Sequence, residues 1–266
     1  MVKNAVALTI AGSDSGGGAG IQADVKTFSA CGVYGASVVT AVTAQNMEAV
    51  RAVQAVRPAV VEAQLRAVLE GYPVKAAKTG MLFQRGIIKA VAAVLNELPR
   101  FPLVVDPVFA ATSGGRLIEP KAVRSLVELL FPLASLVTPN LREGELLCGR
   151  KLRTLDDLYE AGKSLFREYG VPFLMKGGHL PALKDRVVDL LVDPEGVKAF
   201  KAERVTGVNS HGSGCTFSAA IVAHLARGHG LHRAVAEAKA FITGSLRHPH
   251  PLRPGTRVID HFFARG

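Results

Sequence analysis

The chain has 266 residues, of which 48% are hydrophobic and 20% charged, the balance of a folded globular chain, and this excludes disorder, collagen and coiled coil. Lysine and arginine number 32 against 22 acidic residues, and the resulting +10 favours anionic ligands. The basic residues are scattered, no zinc-finger spacing occurs, and aromatics are 6% with no tryptophan, so a nucleic-acid platform is not expected.

Residues 4–11 form an apolar run that stops at a glycine-rich stretch, which predicts a buried strand followed by the loop 12–20. The run is too short for a membrane span or a signal segment, so a cytoplasmic protein without membrane attachment is expected. A helix follows over 21–31, with Ile21, Val25 and Phe28 on one face. The valine- and threonine-rich stretch 34–44 and the alternating stretch 49–56 read as two strands with no helix between them, expected as a small flap beside the main sheet. Further on, helices are predicted over 58–70, 84–97, 119–130 and 154–169, a short one after Asn140 through Leu147, and strands over 74–78, 102–105, 135–138 and 172–176. Two antiparallel strands over 186–192 and 197–201 flank the turn sequence Asp193-Pro194-Glu195-Gly196, and long helices cover 214–227 and 231–247. Strands alternating with helices indicate one α/β domain over 1–266, with a mostly parallel sheet covered on both faces.

Ligands in such sheets bind beyond the carboxyl ends of the strands. Asp14, Asp24, Asp106, Asn140, Glu143 and Lys176 fall there. The run Gly16–Gly20 precedes a helix and could cradle a ligand with free N–H groups, or serve only as a tight turn. It is neither a dinucleotide fingerprint nor a P-loop. A sharper signal is the small-residue run 208–220, with Gly212 and Gly214 opening a long apolar helix. Its N–H groups and dipole can hold a phosphoryl group. Cys215 would sit in the first turn, where an electropositive setting lowers a thiol's pKa, and it could act as a base or merely pack. Cys31 and Cys148 read as packing residues, and three cysteines do not make a disulfide scaffold. His224, His229, His232, His248 and His250 carry no metal-binding pattern and read as a solvated face.

The stretches Ala11–Asp24, Thr43–Asn46, Lys78–Leu82, Val105–Val108, Thr138–Leu141, Met175–His179 and 209–220 occur in an order that resembles the ribokinase-like superfamily. More narrowly, they resemble the hydroxymethylpyrimidine/phosphomethylpyrimidine kinases of thiamine biosynthesis. The resemblance implies phosphorylation of 4-amino-5-hydroxymethyl-2-methylpyrimidine with ATP and Mg2+, then of its monophosphate, by a homodimer. The closely related alternative is a pyridoxine, pyridoxal or pyridoxamine kinase. By the same resemblance Asp24 and Gln45 read the pyrimidine, Met81 and Val108 wall the ring slot, and Gly12 lies beside it. Cys215 takes the position of the catalytic base, and Gly212, Ser213 and Gly214 that of the anion hole. Asp106 and Glu143 would organise Mg2+, and Lys176, Asn140 and Asn209 would contact the nucleotide. The chain departs from the family pattern at Thr112, where relatives often carry lysine, and in the proline- and histidine-rich stretch 247–256.

Overall fold

A computed structural model describes residues 5–109, 119–180 and 183–265, so the Thr112 departure lies outside the described residues. Strands β1 (Val6–Asp14), β2 (Tyr34–Gln45), β3 (Val50–Ala55), β4 (Val74–Thr79), β5 (Leu103–Val105), β6 (Leu136–Val137), β7 (Phe173–Lys176), β8 (Arg186–Asp193) and β9 (Gly196–Glu203) form one sheet. Their order is β3-β2-β1-β4-β5-β6-β7-β8-β9, parallel from β2 to β7 and antiparallel at both edges.

The alternation of side chains along each strand builds two different cores. Val6, Leu8 and Ile10 face helices α2 (Pro58–Gly71), α3 (Arg85–Asn96), α4 (Pro120–Leu130) and α6 (Leu155–Tyr169). Ala5, Ala7 and Ala76 face α1 (Gly20–Ala30), α7 (Ser213–Ala226) and α8 (Leu231–Arg247). Alanines on that face let a helix approach closely. The middle of α7 answers with Ala219, Ala220 and Ala223, all fully buried. A helix apolar on every side belongs inside, and this one directs its first turn at the carboxyl ends of the central strands.

One expectation changes. The 34–56 region is not a separate flap: β2 pairs in parallel with β1 from Tyr34 to Thr43, and only its far half pairs with β3. A twelve-residue strand outruns its neighbour, and its overhang, folded back as β3, is the flap. The proline- and histidine-rich stretch contains a hairpin, β10 (His250–Arg253) and β11 (Thr256–Val258), turned by Gly255. It reaches both neighbours of the cavity, through Arg253 to Glu48 at the flap and through the Arg257 carbonyl to the Asn209 N–H. Among the described residues no helix is long and apolar enough to cross a membrane.

Candidate active site

A cavity of about 560 Å³ opens at the carboxyl ends of β1, β4, β5 and β7. Gly12, Gln45, Met81 and Val108 line one end, and the start of α7 stands at its middle. Asp106, Asn140, Glu143 and Lys176 also face it. Met81 and Val108 belong to one small apolar cluster with Ala41, Val50 and Val53 of the flap. The Met81 methyl occupies the place a Cβ would take on Gly12, so glycine there is a condition of the close contact.

The glycine loop is organised by Asp14. Its carboxylate accepts the N–H groups of Gly16 (2.8 Å), Gly18 (3.2 Å) and Ala19 (2.8 Å). These donors are therefore not free to cradle an anion, and the run serves as a tight turn, the second of the two readings its sequence allows. His211 adds a further contact at 2.9 Å to Asp14 and stands 3.3 Å from the Gln45 amide. Burial alone would raise the Asp14 pKa; the hydrogen bonds from His211, Gly16 and Ala19 outweigh it and hold the carboxyl below its ordinary value. His211 thus joins the flap, the glycine loop and the α7 loop, a role its sequence position did not suggest.

Asp24 lines the cavity but exposes no side-chain surface, with Oδ1 accepting from Lys78 Nζ at 2.7 Å and Oδ2 from Thr9 Oγ1 at 2.6 Å. Lys78 comes from the end of β4, and its partner from α1, 54 residues away. A second buried pair links Asp106 after β5 to Lys176 at the end of β7, at 3.0 Å. Asp106 also accepts from Thr138 Oγ1 and Ser218 Oγ, each at 3.0 Å, so both its oxygens are occupied within the protein. The opposing cations and hydrogen bonds hold the Asp106 carboxyl down despite its burial.

Asn140 caps α5 (Leu141–Cys148): its Oδ1 accepts the Glu143 N–H, and Glu143 Oε2 accepts the Asn140 N–H at 2.7 Å. This capping box fixes Glu143 under the cavity. Burial pushes the Glu143 carboxyl up to about 8, Lys176 opposes the shift, and the neighbouring Asp106 charge adds to it. Among the described residues no group of three or more His, Cys, Asp or Glu is assembled to hold a metal. A magnesium ion takes most of its ligands from water and phosphate and needs only one or two carboxylates. Glu143, itself held by the Asn140 and Phe109 N–H groups, and Asp106 are the two carboxylates at hand for that demand.

Cys215 sits in the first turn of α7 beside the cavity. Its thiol is not activated by position, as the helix start had suggested. Burial pushes it up to about 11; Lys78 and the Gly20 N–H lower it, while Asp24 and Asp106 raise it. Helix-start N–H groups are available at Gly214 and Cys215, but the Ser213 N–H is bonded to the Ser210 carbonyl at 3.0 Å and leaves the expected anion hole. Lys176 Nζ lies beside Gly214, 3.5 Å from where its Cβ would stand. Asn209 does not face the cavity; its Oδ1 accepts the His211 N–H at 2.9 Å and shapes the turn.

The far end of the cavity was not legible in sequence. Phe217, Ile242 and Leu246 line it with the buried pair Lys239–Asp189, 2.6 Å apart. Arg204 closes its rim by donating to the carbonyls of Gly178, Leu183, Lys184 and Arg186. The histidines are not all solvated: His224 is buried, stacks on His229, and is held down to about 4 by burial, while His232 pairs with Asp193 at 2.6 Å. Cys31 and Cys148 pack against the two cores as expected.

Residues 14–260 match the family of phosphomethylpyrimidine kinases. The hydroxymethylpyrimidine/phosphomethylpyrimidine kinase of Rhizobium meliloti is 48% identical over 263 residues, covering 97% of each chain. The thiamine biosynthesis bifunctional protein ThiED of Geobacter sulfurreducens is 48% identical over 257 residues, covering 97% of this chain but 52% of that protein, so the chain spans about half of that relative's length. The solved ADP complex of Bacillus subtilis pyridoxal kinase superposes with a TM-score of 0.86 at 37% identity, covering 98% of this chain and 99% of that one. An ordered set of motifs, a ribokinase-like sheet and near-complete coverage agree, and the chain belongs to the phosphomethylpyrimidine kinase family.

Proposed function

We propose that the chain phosphorylates 4-amino-5-hydroxymethyl-2-methylpyrimidine with ATP, and then phosphorylates the monophosphate to the pyrophosphate, in thiamine biosynthesis. The observation that carries this reading is one cavity of about 560 Å³ in a member of this family, lined by the apolar pair Met81 and Val108, by the first turn of α7, and by Phe217, Ile242 and Leu246. The pyrimidine lies between Met81 and Val108 with its polar edge at Gln45, and the nucleotide base enters beside Phe217 and Ile242. In the first transfer the hydroxymethyl oxygen forms a bond to the γ-phosphorus, and the bridging oxygen leaves with ADP. The hydroxyl proton passes to the Cys215 sulfur, which enters the step as thiolate after its own proton has gone to solvent. The N–H groups of Gly214 and Cys215 and the Lys176 ammonium face the transferred group, and alignment and charge carry most of the barrier reduction. Glu143 and Asp106 would help hold a Mg2+ ion, which when bound would neutralise phosphate charge. The second transfer starts from a phosphate oxygen already ionised near neutral pH and needs less of the base.

The test is the rate of ADP formation by the purified chain with the pyrimidine alcohol, the monophosphate and pyridoxal, each compared by kcat/KM. A higher value for pyridoxal than for both pyrimidines would favour the second reading, pyridoxal kinase, which the similarity to the Bacillus subtilis enzyme supports. The assembly this reading carries is a homodimer, which light scattering on the eluted protein tests directly.

A further inference from the structure

Lys78 exposes no surface to solvent, yet it lines the cavity under the part of the site where the proton moves. Its ammonium donates to Asp24 Oδ1 at 2.7 Å and reaches the Cys215 carbonyl at 3.5 Å. Ser218 Oγ lies 3.1 Å from the same carbonyl and 3.0 Å from Asp106 Oδ2, and shares its single proton between them. The first turn of α7 is therefore tied to both buried ion pairs. Such a pair is a poor device for stability, because apolar residues of equal volume usually serve the fold as well or better. Its place under a thiol calls for another reason.

We infer that Lys78 is a positioning residue for Cys215: its ammonium anchors the Cys215 carbonyl and supplies the positive field in which the sulfur gives up and regains its proton. Asp24 sets the strength of that field by neutralising part of it. The charged groups that act on Cys215 come from four elements: Lys78 of β4, Asp24 of α1, Asp106 after β5 and Lys176 of β7. Lys78 is the strongest of the charges acting on the thiol and lowers its pKa, against the two carboxylates. The inference deepens the proposed role of Cys215 as base and rests on it only for its effect on turnover.

The experiment uses the full chain in a Cys31→Ser/Cys148→Ser background, so that iodoacetamide reports on Cys215 alone. Two variants move the field in opposite directions. Asp24→Asn keeps the hydrogen bond with Thr9 and leaves the ammonium unopposed; Lys78→Met/Asp24→Asn removes both charges. The midpoint of the pH profile of alkylation should fall in Asp24→Asn and rise in the double variant, each by about one pH unit, a tenfold change in thiolate at fixed pH. Turnover of the alcohol at neutral pH should fall about tenfold in the double variant with KM for ATP retained, and recover as pH is raised. A purely structural role would move both midpoints the same way or neither. An unshifted or lowered midpoint in the double variant overturns the inference, and that variant decides alone if Asp24→Asn does not fold. Alkylation is read without ATP or substrate, so the opposed shifts still count if Cys215→Ala keeps its turnover; that result would overturn the base assignment instead.

Discussion

Gly212→Ala separates what the α7 loop needs from its backbone conformation and what it needs from contact with the glycine loop. Gly212 has φ +82°, in the left-handed region, where an L residue costs about 1–2 kcal/mol. An added Cβ would also overlap the Gly18 carbonyl, lying 2.7 Å from its carbon and 3.3 Å from Ala19 Cα. These are backbone atoms held in place by Asp14, so relief requires moving a loop and not a side chain, an overpacking cost on the order of 1–3 kcal/mol. Together the two terms give about 2–5 kcal/mol, or a fall in Tm of roughly 5–15 °C for a chain of this size. Gly170 is the control, with φ +68° and nothing within 4 Å of an added Cβ, so Gly170→Ala bears the left-handed cost alone. Moving the loop also withdraws the N–H groups of Gly214 and Cys215 from the transferred phosphoryl group. Loss of one such donor costs about 10²–10³ in kcat. Thermal unfolding and kcat with the pyrimidine alcohol at saturating ATP should therefore show a large loss of both in Gly212→Ala, and a small loss of Tm with parental kcat in Gly170→Ala. Equal melting temperatures in the two variants, or a Gly212→Ala turnover within twofold of the parent, would refute the reasoning.

Cys215→Ala should lose about 10²–10⁴ in phosphorylation of the alcohol and less in phosphorylation of the monophosphate; two separately measured rates within twofold of the parent would make Cys215 a packing residue. Because burial pushes its thiol up to about 11, the thiolate fraction grows about tenfold per pH unit below that value, and the first transfer should accelerate from pH 7 to 9 in the parent but not in Cys215→Asp. Glu143 is held at about 8 against an ordinary 4.5, so the native state keeps a proton that the unfolded chain releases, and this contribution to stability is lost as pH rises from 4.5 to 8. Glu143→Gln should therefore gain on the parent in urea melts as pH increases through that window, and a pH-independent difference would contradict the assignment. Gln45→Leu should leave a polar edge of the pyrimidine unpaired and cost about 1–3 kcal/mol in kcat/KM; an unchanged kcat/KM for the alcohol counts against Gln45 as the reading group.

What the sequence made legible was whatever is written locally. The valine- and threonine-rich run of β2, the glycine at each end of α1, and the carboxylates just past β5 and β6 are signals within a few residues of each other, and they placed the sheet and the mouth of the cavity. What it concealed was pairing across the sheet. Asp24 reads as a ligand group until Lys78 is found against it from another strand, and the Gly16–Ala19 donors look free until Asp14 is found to accept them. The Cys215 thiol illustrates the same limit with a sign error: a helix start is visible in sequence, while burial and the charges of Asp24 and Asp106, which outweigh it, are not. A histidine two residues after Asn209 was legible only as a neighbour of Cys215, and its bond to Asp14 joins positions 197 residues apart.

The two buried pairs also bear on how the cavity treats phosphate. A site with two bare lysines would bind ATP, ADP and the phosphorylated product strongly in the ground state, and uniform binding of that kind does not raise kcat. Here Lys78 is neutralised by Asp24, and Lys176 by Asp106, in both cases with the carboxylate almost wholly buried. The attraction left for a phosphoryl group comes mainly from the first turn of α7, whose N–H groups are fixed in direction by the contact of Gly212 with Gly18 and act best on charge that develops where they point. The Glu143 carboxyl, largely protonated below pH 8, adds little repulsion to the empty site and becomes an anion only when a cation arrives to meet it. The arrangement thus keeps the resting cavity close to neutral and places its directed electrostatics at the point of transfer, which is what a kinase that must release one phosphorylated product and accept it again as a substrate requires.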